Sequence, residues 1–386
     1  MSILLTIIGL SIVIFFHEFG HFIFARIFGV RVEEFGFGYP PRMFGWIKTD
    51  KNKWNFKFFW NKNVPKEADK KTIYSVNWIP FGGFNKLKGE MGGQEKDDWG
   101  AQKWWKKVLI GVGGVCMNFI LAIILFSFCF SAGIPQAVEQ TTGGGKIKEI
   151  IGIQISMVSP NSSAEKAGIK IGDVVLSIDG QEIKTVEGLQ NYIKPKVNQT
   201  VKIKIKRNLQ IIEKEVNVLP ASQNFQDIEE SYGVIGVGLA NIAIVSYPWY
   251  QSIYEGIKTT FLLIGQWCYS LYLILKTLII KHHMIGQFVG PVGLAAMGGE
   301  VARVGFIYLV QFLGIISVAI GVSQFIPIPG LDGSRILFAF IEGIRRKPIK
   351  QETENLILSI GFYLLLILAV LLTYQDIAHL FSKFFK

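Results

Sequence analysis

The sequence predicts a polytopic α-helical membrane protein of about four transmembrane helices, with a membrane-associated β-hairpin or re-entrant loop and one inserted external α+β domain. Three observations carry this. The 386 residues are 50% hydrophobic and only 18% charged, with a mean hydropathy of +0.36, too apolar for an ordinary soluble domain. Four stretches, approximately 2 to 28, 108 to 131, 305 to 326 and 356 to 374, reach the ~20 residues that a helix needs to cross a hydrocarbon core of about 30 Å. Residues 150 to 219 read differently. Patterns such as VKIKIKR (201 to 207) and VVLSIDG (174 to 180) alternate between turn signals, with one helix-like stretch at 162 to 168, as in a small water-soluble domain.

Charge chooses the partner and the orientation. Lys+Arg 40 against Asp+Glu 29 would suit nucleic acid or anionic lipid; the hydropathy selects the lipid bilayer and excludes nucleic acid. The first stretch has no basic segment before it and no small-residue cleavage site, so it reads as a retained span. Residues 26 to 107 hold 17 Lys/Arg and 9 Asp/Glu, whereas residues 133 to 248 hold 12 of each. The positive-inside rule puts the first loop in the cytoplasm and the second region outside. Within the first loop FGFGYPPRMFG (35 to 45), WNFKFFW (54 to 60) and NWIPFGGFNKL (77 to 87) combine β-prone aromatics with Gly and Pro turns, suggesting hairpins that touch the membrane.

A fifth apolar stretch, 253 to 281, is interrupted by Glu255, Lys258, Gln266, Lys276 and Lys281. It is expected to be an interfacial helix, with a lone extra span as the alternative. The basic loop 342 to 350 returns the end of the third span to the cytoplasm and leaves both termini outside. The expected organisation is 1–132 for two spans and the cytoplasmic β-loop, 133–222 for the external domain, 223–304 for a linker with the interfacial helix, and 305–386 for the last two spans. Cys116, Cys129 and Cys268 lack metal or disulfide spacing and read as packing residues. His282 and His283 point apart on a helix and read as a polar loop.

His17-Glu18-Phe19-Gly20-His21 is HExxH inside the first span. At i and i+4 the two imidazoles stand on one helix face and can share one Zn²⁺, with the intervening Glu18 placed as general base. Three ionisable groups in one turn of a membrane helix are costly unless they coordinate something. Catalytic zinc takes a third protein ligand. The best candidate is Asp332 in Pro327-Ile-Pro-Gly-Leu-Asp-Gly333, a lone carboxylate on helix-breaking chain at the end of the third span; its rival role is to N-cap the segment 334 to 344. Asp332 reaches the leaflet of the histidines only if 253 to 281 does not cross, which favours the interfacial helix.

These residues carry a resemblance. HEFGH in a first span, GVGGVCMNF (111 to 119) with Asn118 in a second, one external domain and PIPGLDG in a third together resemble the site-2 protease family of intramembrane zinc metalloproteases. Order and spacing are similar to bacterial members of the regulator of sigma-E protease type over nearly the whole chain. The resemblance implies one catalytic zinc on His17, His21 and Asp332, with Glu18 as catalytic base. It implies substrate contacts from Asn118, Gln324 and the β-loop residues Gly82, Gly83 and Phe84. The implied substrates are single-span membrane proteins, cut within or near the bilayer after an upstream site-1-type protease, and the implied membrane is the inner (cytoplasmic) one. GIQISMVSPNSSAEKAGIKIGDVVLSIDG (152 to 180) is similar to the PDZ pattern, a gate or filter by strand addition. The chain departs from the family at Gln324 and Ala319, where Asn is usual, and at Ser334-Arg335, where Gly-His is frequent. Those departures support an alternative, a catalytically impaired member that binds or chaperones membrane proteins.

Overall fold

The computed structural model describes residues 2–48, 54–58, 71–90, 92–93, 95–138, 144–160, 162–207, 210–221, 232–281 and 289–384. His282 and His283 lie outside them. In chain order come α1 (Ser2–Ile27), β1 (Val32–Lys48), β2 (Trp54–Phe58), β3 (Ile73–Leu87) and α2 (Trp104–Ala132). Next are β4 (Ile134–Ala137), β5 (Lys146–Val158), α3 (Ser163–Lys166), β6 (Val174–Ile178), β7 (Gln181–Glu182), α4 (Val186–Ile193), β8 (Thr200–Arg207) and β9 (Gln210–Asn217). After β10 (Leu219–Pro220), β11 (Gly233–Val234) and β12 (Val237–Ser246) follow α5 (Trp249–Lys281), α6 (Pro291–Val304), α7 (Phe306–Gln324), α8 (Asp332–Arg345) and α9 (Gln351–Phe384). The chain divides into two compact units, one of residues 1–127 with 253–386 and one of 128–252.

Among the described residues four helices are long and apolar enough to cross a membrane: α1, α2, α7 and part of α9, all but the end of α2 in the first unit. All four expected stretches fall on them. Glycines set how closely these helices pack. A Cβ on Gly20 of α1 would lie 2.2 Å from the Gly113 carbonyl oxygen of α2, and one on Gly9 would lie 2.5 Å from Leu313 of α7. Only residues without a side chain permit such contact. The first loop forms a three-stranded antiparallel sheet in the order β2-β1-β3. Its last strand lies against α1: a Cβ on Gly82 would meet Ile14 at 2.8 Å, and one on Gly83 would meet Glu18 and Phe15 at 3.0 Å. Phe22, Phe35, Val32, Leu87 and Ile110 form the core between sheet and helices.

The stretch read as interfacial is part of one continuous 33-residue helix, α5. It carries four charged residues and, among the described residues, is not one of the helices long and apolar enough to span. Its N-terminal half is anchored by Gly256, where a Cβ would meet Ser127 of α2 at 2.4 Å. A second helix, α6, lies in the region expected to be linker; Gly298 packs on Thr6 of α1, and its first turn is capped from afar, Gly293 N–H donating to Asp376 of α9 at 2.7 Å.

The second unit is a sheet in the order β4-β12-β5-β6-β8-β9, with β7 paired to β6. The alternation seen in sequence is realised in β8, where Val201, Ile203 and Ile205 are buried and Lys202, Lys204 and Lys206 exposed. They pack with Ile153, Ile155, Ile178 and Leu189. Arg207 clamps the turn before β6, donating from Nε and Nη2 to Asp173 at 2.7 Å each and to the Gly168 carbonyl. Burial raises the Asp173 carboxyl, and the guanidinium with the Lys170 N–H outweighs it, holding the group below the usual carboxylate range. The unit runs past the expected boundary at 222, because β12 returns to pair between β4 and β5. Nothing local in residues 237 to 246 announces partners so far upstream.

Candidate active site

The site is built where α1, α2 and the start of α8 converge. His17 Nε2 and His21 Nε2 are 3.2 Å apart, as i, i+4 spacing on a helix dictates. Asp332 Oδ2 lies 2.7 Å from the first and 3.0 Å from the second. Ligand atoms on a tetrahedral zinc, with bonds of about 2.0–2.1 Å, stand about 3.3 Å apart. The three separations here fall at or somewhat inside that triangle, a small outward shift of the carboxylate completing it, and two imidazoles with one carboxylate are a donor set that zinc accepts. The residues therefore fit the ion.

Asp332 is placed by the chain around it. Gly330 turns with φ +97, and α9 crosses the loop so closely that a Cβ on Gly361 would lie 2.1 Å from the Pro329 carbonyl oxygen. Asp332 opens α8, but Leu331 is the cap residue and no side chain caps the helix. The carboxylate faces the imidazoles instead of the helix N-terminus. Gln324, at the end of α7, accepts the Asp332 N–H at 3.4 Å.

The backs of both rings are held. His21 Nδ1 donates to the Ile110 carbonyl of α2 at 2.8 Å; a carbonyl only accepts, so the proton sits on Nδ1 and Nε2 is left free as a ligand. The Asn118 amide lies 3.2 Å from His17 Nδ1, and its Oδ1 has no other partner among the described residues. A half-turn of the amide makes Oδ1 the acceptor that a ligating His17 needs. Ser317 donates to the Asn118 backbone carbonyl at 2.8 Å and fixes that turn of α2. Asn118 itself is fully buried beside His17. The close helix crossing is a precondition. A Cβ on Gly114 would stand 2.4 Å from His21 Nε2 and 2.8 Å from His17 Cε1.

Glu18, His21 and Asp332 open into a cavity of about 990 Å³. One wall is β3, through Gly83, Phe84 and Asn85; the other is α9, through Leu358 and Phe362. Of the expected substrate contacts, Gly83 and Phe84 line the cavity, while Gly82 packs against Ile14. Tyr39 also faces the cavity, its ring 6.3 Å from that of Phe84. Sequence reasoning missed Tyr39, the Ile110 carbonyl and Gly114. A carbonyl leaves no trace in residue type, and Gly114 is one glycine among several.

The sequence pattern described as Peptidase family M50 matches residues 5–64 and 62–368. A relative in Clostridium perfringens is 30% identical over 382 residues, covering 98% of each chain. The zinc metalloprotease RasP of Geobacillus kaustophilus is 25% identical and covers 100% of this chain and 98% of its own. The regulator of sigma-W protease RasP of Bacillus subtilis is 23% identical over 98% of this chain and 99% of its own. Among solved structures, the PDZ domain of an SdrC-like protein of Listeria innocua matches 23% of this chain and 92% of its own length at 27% identity, with a TM-score of 0.20.

Proposed function

The chain belongs to peptidase family M50, the site-2 protease family of zinc metalloproteases, and we propose that it hydrolyses single-span membrane proteins within or beside their transmembrane segment, after another protease has removed their external portion. The observation that carries this is the meeting of His17, His21 and Asp332 beside Glu18, in a chain with four apolar helices of spanning length among its described residues.

Zinc held by His17, His21 and Asp332 would supply Lewis acidity to the scissile carbonyl and to the attacking water. Glu18 takes the proton of that water and later delivers it to the leaving amine. Ile110 and Asn118 keep the imidazoles aimed by binding the far nitrogens. The β3 edge that does not pair with β1 is available to an extended peptide, and Gly83 lets such a strand lie close to Glu18. A helical substrate hides its carbonyls in i to i+4 bonds, so segments with weak helix formers near the cut are preferred. Gln324 is proposed to stabilise the Asp332 turn as well as to offer an amide to the substrate. The basic first loop favours an active site toward the cytoplasm, with the PDZ-like unit and both termini outside.

The test is the purified full chain in lipid, given a spanning model substrate beside a soluble peptide of the same cut sequence. The spanning substrate should be cleaved, a zinc chelator should stop cleavage, and added zinc should restore it. Cleavage of the soluble peptide alone would overturn the membrane-substrate reading. Binding of the spanning substrate without any cleavage would favour the binding or chaperone role.

A further inference from the structure

Arg335 lies three residues beyond Asp332 on α8, so both side chains leave neighbouring positions of one helix face. Its Nη1 donates to Glu90 Oε1 across 245 residues of sequence, with the side chains 34% and 26% exposed. Both residues line the cavity that contains Glu18 and Asp332. Glu90 stands in the turn that follows Leu87, the last residue of β3.

That turn is held on several sides. Lys88 N–H donates to the Arg31 carbonyl at 2.9 Å, and Trp99 N–H to the Lys88 carbonyl at 2.8 Å. Gly89, with φ +68, is pressed against Asp98, where a Cβ would come within 2.6 Å. Gln351, at the first turn of α9, donates from Nε2 to the Glu90 carbonyl at 3.1 Å. A segment fixed in this way is a mount, not a hinged flap. The guanidinium connects the mount to the helix that carries the Asp332 carboxylate.

We infer that the Arg335–Glu90 ion pair is a crossbar that sets the distance between the end of β3 and Asp332, so that a peptide lying along that strand meets the catalytic groups in register. Arg335 is thus a positioning residue. The inference rests on the reading of the cavity as the peptide-binding site. Misplacement of a substrate by about 1 Å costs on the order of 100-fold in rate, so a half-buried pair that holds a strand matters more to turnover than to folding. Arg335 suits the task, because its planar fork holds a carboxylate in one geometry where an ammonium does not.

The test compares full-length wild type with Arg335→Met, Glu90→Gln, Arg335→Lys, Arg335→Glu and the double reversal Arg335→Glu with Glu90→Arg, using a spanning model substrate in lipid. Both neutral variants should keep wild-type zinc content and lose about 10-fold to 100-fold in kcat/KM, mainly in kcat. Arg335→Lys should fall between them and wild type, and the double reversal should recover at least about 10-fold over Arg335→Glu alone. Unchanged kinetics in both neutral variants would overturn the crossbar, as would faster turnover, which would mark a closed gate, or loss of zinc, which would mark support of the metal ligands. An inactive wild type would refute the peptide-binding reading itself.

Discussion

Glu18→Gln is expected to retain its zinc and to lose hydrolysis by about 10²–10⁴-fold, the contribution of a positioned general base. Glutamine has the shape of glutamate and cannot accept the proton. Glu18 is not one of the three converging donor atoms, so the ligands keep their places. Its side chain is seated on Gly83, whose absent Cβ leaves room at 3.0 Å, so the substitution needs no repacking. Zinc content and turnover measured on the same preparation separate the base from the metal. Turnover within about 10-fold of wild type would place the base elsewhere.

Gly114→Ala is expected to be nearly as damaging, although it adds one methyl group. That carbon would stand 2.4 Å from His21 Nε2 and 2.8 Å from His17 Cε1, inside van der Waals contact with the face that must hold the ion. Retreat of α2 from α1 is opposed on its other side, where Phe119 and Phe126 are packed against Gly321 and Gly314 of α7. The expected result is a zinc affinity lower by about 10-fold to 100-fold, the range seen when ligand orientation is disturbed, with activity falling in step. Alanine in a helix interior is otherwise better than glycine by about 0.5–1 kcal/mol, so a defect would not come from helix propensity. Gly111→Ala is the control: its Cβ would meet Ile336 Cγ1 of α8 at 2.7 Å and neither imidazole, so a packing cost is expected there while zinc binding should persist. Wild-type affinity in Gly114→Ala would show that the imidazoles do not depend on this crossing.

The grouping of His17, His21 and Asp332 was legible in sequence where it depends on local spacing. HExxH puts two imidazoles on one face by helix geometry alone, and a zinc site needs a third ligand, which made a lone carboxylate on Pro-broken chain the natural candidate. Composition identified the four apolar helices, and alternation identified the buried face of β8. What stayed hidden depends on contacts between distant segments. The return of Val237–Ser246 into the sheet and the helix Pro291–Val304 on α1 have short or mixed patterns that tertiary pairing decides. Asn118 could be picked out as unusual in an apolar run, yet whether an amide on a helix faces a cavity or a histidine depends on how α2 is rotated against α1. Arg335 stood out only as a departure; its partner Glu90 comes from a turn far upstream.

The whole account depends on one ion being shared by two residues of the first helix and one from far along the chain. Zinc stoichiometry of the full-length protein tests this most directly, with wild type beside His17→Ala and Asp332→Ala. The account predicts about one zinc per wild-type chain, as a single catalytic site requires, and little or none in either variant. An Asp332→Ala protein that keeps its full complement of zinc would contradict it.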